Sequence, residues 1–170
     1  MNGARTYPSG VALALILALG GGVAAIAGAK TSHEGWPEIN GDLVMHKQDE
    51  NGQIRATKAG KHNKLLGGHG NDSIYAGDVG DVIWGDYKPS GQPESQTDEL
   101  HGGPGKDFIY ASHGLNRIYT HGGADQVHIH FGHGSVTCAS PKATVFISHK
   151  SEKRYKLHGC PRRSYKTVGY

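Results

Sequence analysis

Cysteine is scarce in this chain, with Cys138 and Cys160 the two such residues among 170. That excludes a dense disulfide scaffold and a four-cysteine zinc ribbon. Large apolar residues are few as well. Hydrophobic residues make up 36 % of the chain, with 3 Phe and 2 Trp. This is a thin supply for an interior built from large apolar side chains. The charge is close to balanced, and a formal +3 is too small by itself to argue for nucleic acid. Enzyme signatures are missing too. The chain has no G-x-S-x-G elbow, no H-E-x-x-H and no P-loop, so no catalytic function is expected.

Glycine abounds instead. The chain carries 27 Gly, roughly twice the usual ~7 %. They follow no three-residue period, which excludes collagen.

Arg5 is the one charged residue before Lys30. Between them runs an apolar stretch, Val11 to Leu19, then Gly20, Gly21 and Gly22, then Val23 to Ala29. Ala27-Gly28-Ala29 fits the small-x-small rule for signal cleavage. Residues 1–29 are therefore expected to be a signal peptide cleaved near Ala29, and the mature chain to be secreted. The alternative is an uncleaved membrane anchor over residues 11–29, since the run is nearly long enough to span a bilayer. Three consecutive glycines count against it, each weakening a helix by ~1 kcal/mol relative to Ala.

The middle of the chain repeats every nine residues. Gly67-Gly68-His69-Gly70-Asn71-Asp72-Ser73-Ile74-Tyr75 fits G-G-x-G-x-D-x-U-x, where U is a large aliphatic residue, and Gly102 to Tyr110 fits it again. The unit Ala76 to Trp84 keeps Gly77, Asp81 and Ile83. The phased aliphatic positions are Leu65, Ile74, Ile83, Leu100, Ile109, Ile118, Val127, Val136 and Val145. Every step is nine residues except the one from Ile83 to Leu100, which is 17. Polar residues from Lys88 to Gln96 fill the excess, as expected for an exposed insertion loop over 88–97.

On these residues the chain resembles the hemolysin-type calcium-binding repeat family, also called RTX, over residues 58–146. The resemblance implies an all-β fold, a parallel β-roll or β-solenoid. Each x-U-x is a short strand and each G-G-x-G-x-D a turn. Two nonapeptides complete one coil, so alternate units stack. One inward aliphatic residue per strand then fills a narrow core, and the small apolar content suffices.

Stacking sorts the sixth positions into two columns. One holds Asp72, Asp98, Asn116 and Gly134. The other holds Asn63, Asp81, Asp107, Asp125 and Ala143. Neighbouring strands lie ~4.8 Å apart, so the carboxylates are crowded, and like charges that close need a cation between them. Carboxylates plus turn carbonyls make the all-oxygen donor set that suits Ca²⁺. The resemblance implies sites between Asp72 and Asp98, between Asp81 and Asp107, and between Asp107 and Asp125. Carbonyls of Gly67, Gly68, Gly70, Gly77, Gly102, Gly103 and Gly105 would complete the shells, with Asn63 and Asn116 in the columns. Roughly two to four ions are expected. Val79 in a glycine position, the interrupted Asp98 turn and Asn116 for Asp depart from the pattern. Gly134 and Ala143 offer no side-chain ligand, so the last coils are expected to be metal-free. From Gly67 to Tyr110 eight acidic residues face Lys88 and Lys106, a local charge of −6.

The ends of the roll need caps. Residues 30–57 are expected to cap the start, with strands at Asp42–Met45 and Gln53–Ala56. At the far end, Val145 to Ser148 is expected to extend the final strand. Residues 147–170 are expected to form a basic cap tied by a disulfide between Cys160 and Cys138 of the last repeat, stabilising by ~3 kcal/mol in the chain-entropy model. Actinobacterial members of the family are similar here, with a Cys in the last repeat and another near the terminus. Seven Lys and Arg between Lys150 and Lys166 oppose Glu152, which admits contact with an anionic envelope polymer.

Two other groupings stand out. His128, His130 and His133 fall in different parts of the repeat and read as surface or turn residues. The residues after the phased aliphatics form two columns expected to face outward: Leu66, Trp84, Tyr110, His128 and Phe146, and Tyr75, His101, Tyr119 and Thr137. Cross-strand packing is the preferred reading of these ladders. The alternative is a noncatalytic carbohydrate-binding or adhesion face for an extracellular glycan. The expected protein is a secreted calcium-binding monomer with no nucleic-acid partner.

Overall fold

Each phased aliphatic residue becomes the centre of a short strand in the computed structural model. The structure describes residues 35–46, 50–86 and 93–166. The expected signal peptide or anchor and the first part of the insertion loop lie outside the described residues.

The odd strands are β1 (Leu43–Met45), β3 (Lys64–Leu66), β5 (Val82–Trp84), β7 (Phe108–Tyr110), β9 (Gln126–His128), β11 (Thr144–Phe146) and β13 (Arg162–Ser164). The even strands are β2 (Gly52–Arg55), β4 (Asp72–Tyr75), β6 (Thr97–His101), β8 (Leu115–Tyr119), β10 (His133–Thr137) and β12 (Tyr155–His158). Odd strands form one sheet in chain order, and even strands form the other. Every described pairing is parallel, so the chain winds as an all-β solenoid of about six turns.

Register follows the core residue. Ile83 pairs with Leu65 and Ile109, and Ile109 with Val127. Leu100 pairs with Ile74 and Ile118. The insertion between β5 and β6 therefore leaves the stacking unchanged. All nine phased aliphatics are 0 % exposed and belong to one continuous core. Each contributes about 2 kcal/mol by leaving water. A slip of one residue would turn this whole set outward.

The glycines permit close approach of successive coils. A Cβ on Gly67 would stand 1.8 Å from the Gly85 carbonyl oxygen, and one on Gly103 would stand 1.7 Å from that of Gly77. No side chain fits there.

Both expected capping segments contribute strands to the same two sheets. β1 and β2 add a strand to one end of each, and β12 and β13 to the other. The strand expected to run on to Ser148 stops at Phe146. Ser148 instead caps a short helix, α1 (His149–Glu152), accepting from the Ser151 amide. The tail is then tied back onto the last coil. Ser151 Oγ donates to the His130 carbonyl at 2.8 Å, and the Tyr155 hydroxyl to that of Phe131 at 2.7 Å. A disulfide joins Cys138 to Cys160.

The ladders do not both face outward. In the odd sheet Leu66, Tyr110 and His128 are buried. Trp36 folds over Trp84 and Tyr110 edge-on and donates its indole N–H to the Tyr110 hydroxyl at 2.7 Å. The even-sheet ladder is half-buried. Tyr75, His101 and Tyr119 stack at 4.4 and 4.9 Å, with the Arg55 guanidinium 3.8 Å from the Tyr75 ring centre. Stacked rings at these separations stabilise by ~0.5–1.5 kcal/mol per pair.

Candidate metal centre

The turn columns hold the chemistry. Asn63, Asp72, Asp81, Asp98, Asp107, Asn116 and Asp125 are all buried. Polar groups so placed need partners, and the turns supply them in a repeating scheme. One carboxylate oxygen accepts an amide four residues back in its own turn. Gly68 N–H donates to Asp72 Oδ2 at 3.0 Å, Gly103 N–H to Asp107 Oδ2 at 2.6 Å, and Gly77 N–H to Asp81 Oδ2. The other oxygen accepts the amide of the sixth residue one coil earlier. Asp72 N–H donates to Asp98 Oδ1 at 3.0 Å, Asp81 N–H to Asp107 Oδ1 at 2.7 Å, and Asp107 N–H to Asp125 Oδ1 at 2.9 Å. The three Asp pairs expected from the sequence are thus brought into contact. Asn63 joins the same column, donating from its backbone and its side chain to Asp81 Oδ1.

The expected glycine ligands divide. The Gly85, Gly77 and Gly105 carbonyl oxygens point at Gly67, Gly103 and Gly123 of the adjoining coils. Gly68, Gly77 and Gly103 also spend their amides on the carboxylates. Gly70 (φ +127) stands instead beside the Glu50 carbonyl, outside the Asp column. Gly102 lies against Asp107, where an added Cβ would come within 2.9 Å of Oδ2. Asn116 turns its Oδ1 to the Ser112 amide and hydroxyl, at 3.1 and 2.9 Å.

Two or more carboxylates in so dry a place resist ionisation. Burial pushes Asp98 and Asp107 up to about 6, with Asp72 and Asp81 as their charged neighbours. Asp125 is pushed up to about 7 by burial and Asp107. Its Oδ2 is buried without a hydrogen-bond partner. Burial also raises Asp72, against the lowering contact of His46 Nδ1, 2.7 Å from Asp72 Oδ1. Repelling carboxylates, an orphaned oxygen and carbonyls aimed between coils fit a hard cation with oxygen ligands. Among the described residues no group of three or more His, Cys, Asp and Glu gathers as a ready-made metal site. Carbonyls must therefore supply much of any shell.

Sequence reasoning missed three contributors. His46 carries no phasing signal, because it follows β1 outside the repeat. Ser112 donates to Asp98 Oδ2 from the second position of its turn. Asp86 is buried and accepts from the Gln96 amide. The signal for Asp86 was visible, since it stands where the motif has its second glycine.

The histidine grouping does not make a metal site. His128 is sandwiched between Tyr110 and Phe146 at 4.4 and 4.7 Å, and burial lowers it to about 4. His130 and His133 line a cleft with Lys150 and Arg154, whose charges repel a cation.

The model of the RTX calcium-binding nonapeptide repeat matches this chain in four copies, over residues 60–83 and 95–127. No curated protein and no solved structure matched the chain. RTX nonapeptide repeats bind Ca²⁺.

Proposed function

We propose that this chain, which carries the repeats of the RTX calcium-binding family, is an exported, noncatalytic protein whose β-roll is completed by Ca²⁺ held between stacked turns. The ligand pairs are Asp72 with Asp98, Asp81 with Asp107, and Asp107 with Asp125. Bound Ca²⁺ supplies positive charge that neutralises these carboxylates and gathers turn carbonyls. The chain's own part is to hold the pairs at fixed separation by the amide of one donating to the carboxylate of the next. That amide-to-carboxylate ladder carries the reading. Such a site does not exist in the unfolded chain, so binding and folding are coupled.

The role is structural or binding, outside the cell. Among the described residues no helix is long and apolar enough to cross a membrane. The N-terminal apolar run, read as a signal, and the disulfide between Cys138 and Cys160 support an oxidising destination. The half-buried stack of Arg55, Tyr75, His101 and Tyr119 favours a second reading, a glycan-binding face. The exposed basic residues Arg162, Arg163 and Lys166 suit an anionic envelope polymer.

Circular dichroism during a calcium titration of decalcified protein tests the main reading. β content and melting temperature rise together with added calcium. Identical melting curves in chelator and in excess calcium overturn it. A glycan array in calcium tests the second reading, and binding abolished by Tyr75→Ala and Tyr119→Ala supports it.

A further inference from the structure

Two buried carboxylates carry an oxygen with no hydrogen-bond partner, Asp125 and Asp86. Asp125 belongs to a pair already described. Asp86 belongs to none. It is the second residue of the turn opened by Gly85, a position that Gly68, Gly77 and Gly103 hold in other turns, and it is 2 % exposed. A side chain of this kind needs a reason to be ionisable and dry.

The neighbouring coil offers one. In the Asp72 column the next sixth position after Asp98 is Asn116, so the gap between those coils has lost a carboxylate. Asp86 and Asp98 meet around the Ser112 hydroxyl. Ser112 Oγ donates to Asp98 Oδ2 and also contacts Asp86. The Asn116 amide is oriented by its Nδ2, which donates to the Ser112 and Gly114 carbonyls at 3.0 and 3.3 Å. Its Oδ1 is thereby turned to the Ser112 hydroxyl, 2.9 Å away. Gln96 donates to Asp86 Oδ2, and Asp86 Oδ1 has no hydrogen-bond partner.

We infer that this gap takes a further divalent cation, Ca²⁺, in which Asp86 supplies the carboxylate that Asn116 lacks. The donors are the Asp86 and Asp98 carboxylates, Ser112 Oγ and Asn116 Oδ1. Two carboxylates and neutral oxygens form the donor chemistry that Ca²⁺ accepts. The charge of the column is kept at two carboxylates per gap by moving one of them from position six to position two. The inference rests on the proposed calcium-binding function, and extends it to a gap that the repeat pattern leaves incomplete.

The test counts ions. Decalcified wild type and Asp86→Asn are titrated with calcium by calorimetry, and the bound ions are counted by native mass spectrometry. Circular dichroism in calcium reports folding. Asp86→Asn is expected to bind one ion fewer per chain, and Asp86→Asn combined with Asn116→Asp to recover it. Equal ion counts with unchanged affinities in wild type and Asp86→Asn overturn the inference while leaving the other sites standing. A wild type that takes up no calcium sinks both readings. Should Asp86→Asn not fold, Asn116→Asp alone decides. Tighter calcium binding supports the site. A lower melting temperature in calcium and in chelator alike refutes it.

Discussion

The backbone amide of Asp81 donates to the carboxylate of Asp107 at 2.7 Å, although the two are 26 residues apart in sequence. The same Asp107 gives its own amide to Asp125 at 2.9 Å. Asp107 therefore stands in two of the proposed sites at once, and the column acts as a relay in which each turn grips the next.

Asp107→Asn should damage the roll more than Asp72→Asn or Asp125→Asn. The isosteric amide keeps the shape but removes charge from both gaps. A loss on the order of 3 kcal/mol in calcium is expected, within the range for charged hydrogen bonds and broken buried pairs. Urea unfolding in excess calcium measures it. Equal losses in the three variants contradict the shared role.

Acidity provides a second check. The folded-state values of Asp98, Asp107, Asp125 and Asp86 lie at about 6, 6, 7 and 8, above the ordinary 3.8. For Asp86 the cause is burial first and the charge of Asp98 second. Without metal the folded chain holds more protons than the unfolded one, so stability falls as pH rises through these values. His128 works the other way, since burial lowers it from 6.5 to about 4. Its contribution is complete above 6.5, which leaves the carboxylates alone in control from there to about pH 8. Decalcified protein should melt at a lower temperature at pH 8 than at pH 6.5. Calcium should abolish the decline by holding the carboxylates ionised in the folded state. A flat metal-free profile would rule out this electrostatic account.

Much of this was legible in the sequence because each nine-residue unit brings its own core residue and its own turn. Ile74, Ile83 and Ile109 announce their strands without help from distant residues, and the spacing of Asp72, Asp81, Asp98 and Asp107 sorts them into columns. What depended on segments outside the repeat was not legible. The burial of Tyr110 needs Trp36 to fold across it, and no phasing links residues 74 positions apart. The end of β11 at Phe146 depends on Ser148 taking up a helix cap. His46 reaches Asp72 only because β1 joins the end of the odd sheet.

The core can be tested apart from the metal. Ile109→Ala removes a fully buried side chain between Ile83 and Val127. It should cost ~2–5 kcal/mol, both with calcium and without. Arg117→Ala, on an exposed position of the neighbouring sheet, should stay within about 0.5 kcal/mol of wild type. Denaturant melts of the two variants check the contrast, and a small effect at Ile109 would argue against a shared core.

Reducing the bond between Cys138 and Cys160, which spans a sequence separation of 22, should cost ~3 kcal/mol. Calorimetry with and without reductant, at constant calcium, reads the difference. An unchanged melting temperature would mean that β12 and its hydrogen bonds hold the end unaided.

That bond also gives the molecule a direction. One extremity is stitched covalently, while at the other β1, with Leu43 68 % exposed, is held by its hydrogen bonds to β3 and by Val44 packed on the core. Unravelling must begin at the amino end and travel one wrap at a time toward the stitch. Pulled from that end, the molecule would yield like a spool, each wrap letting go before the next one feels the load.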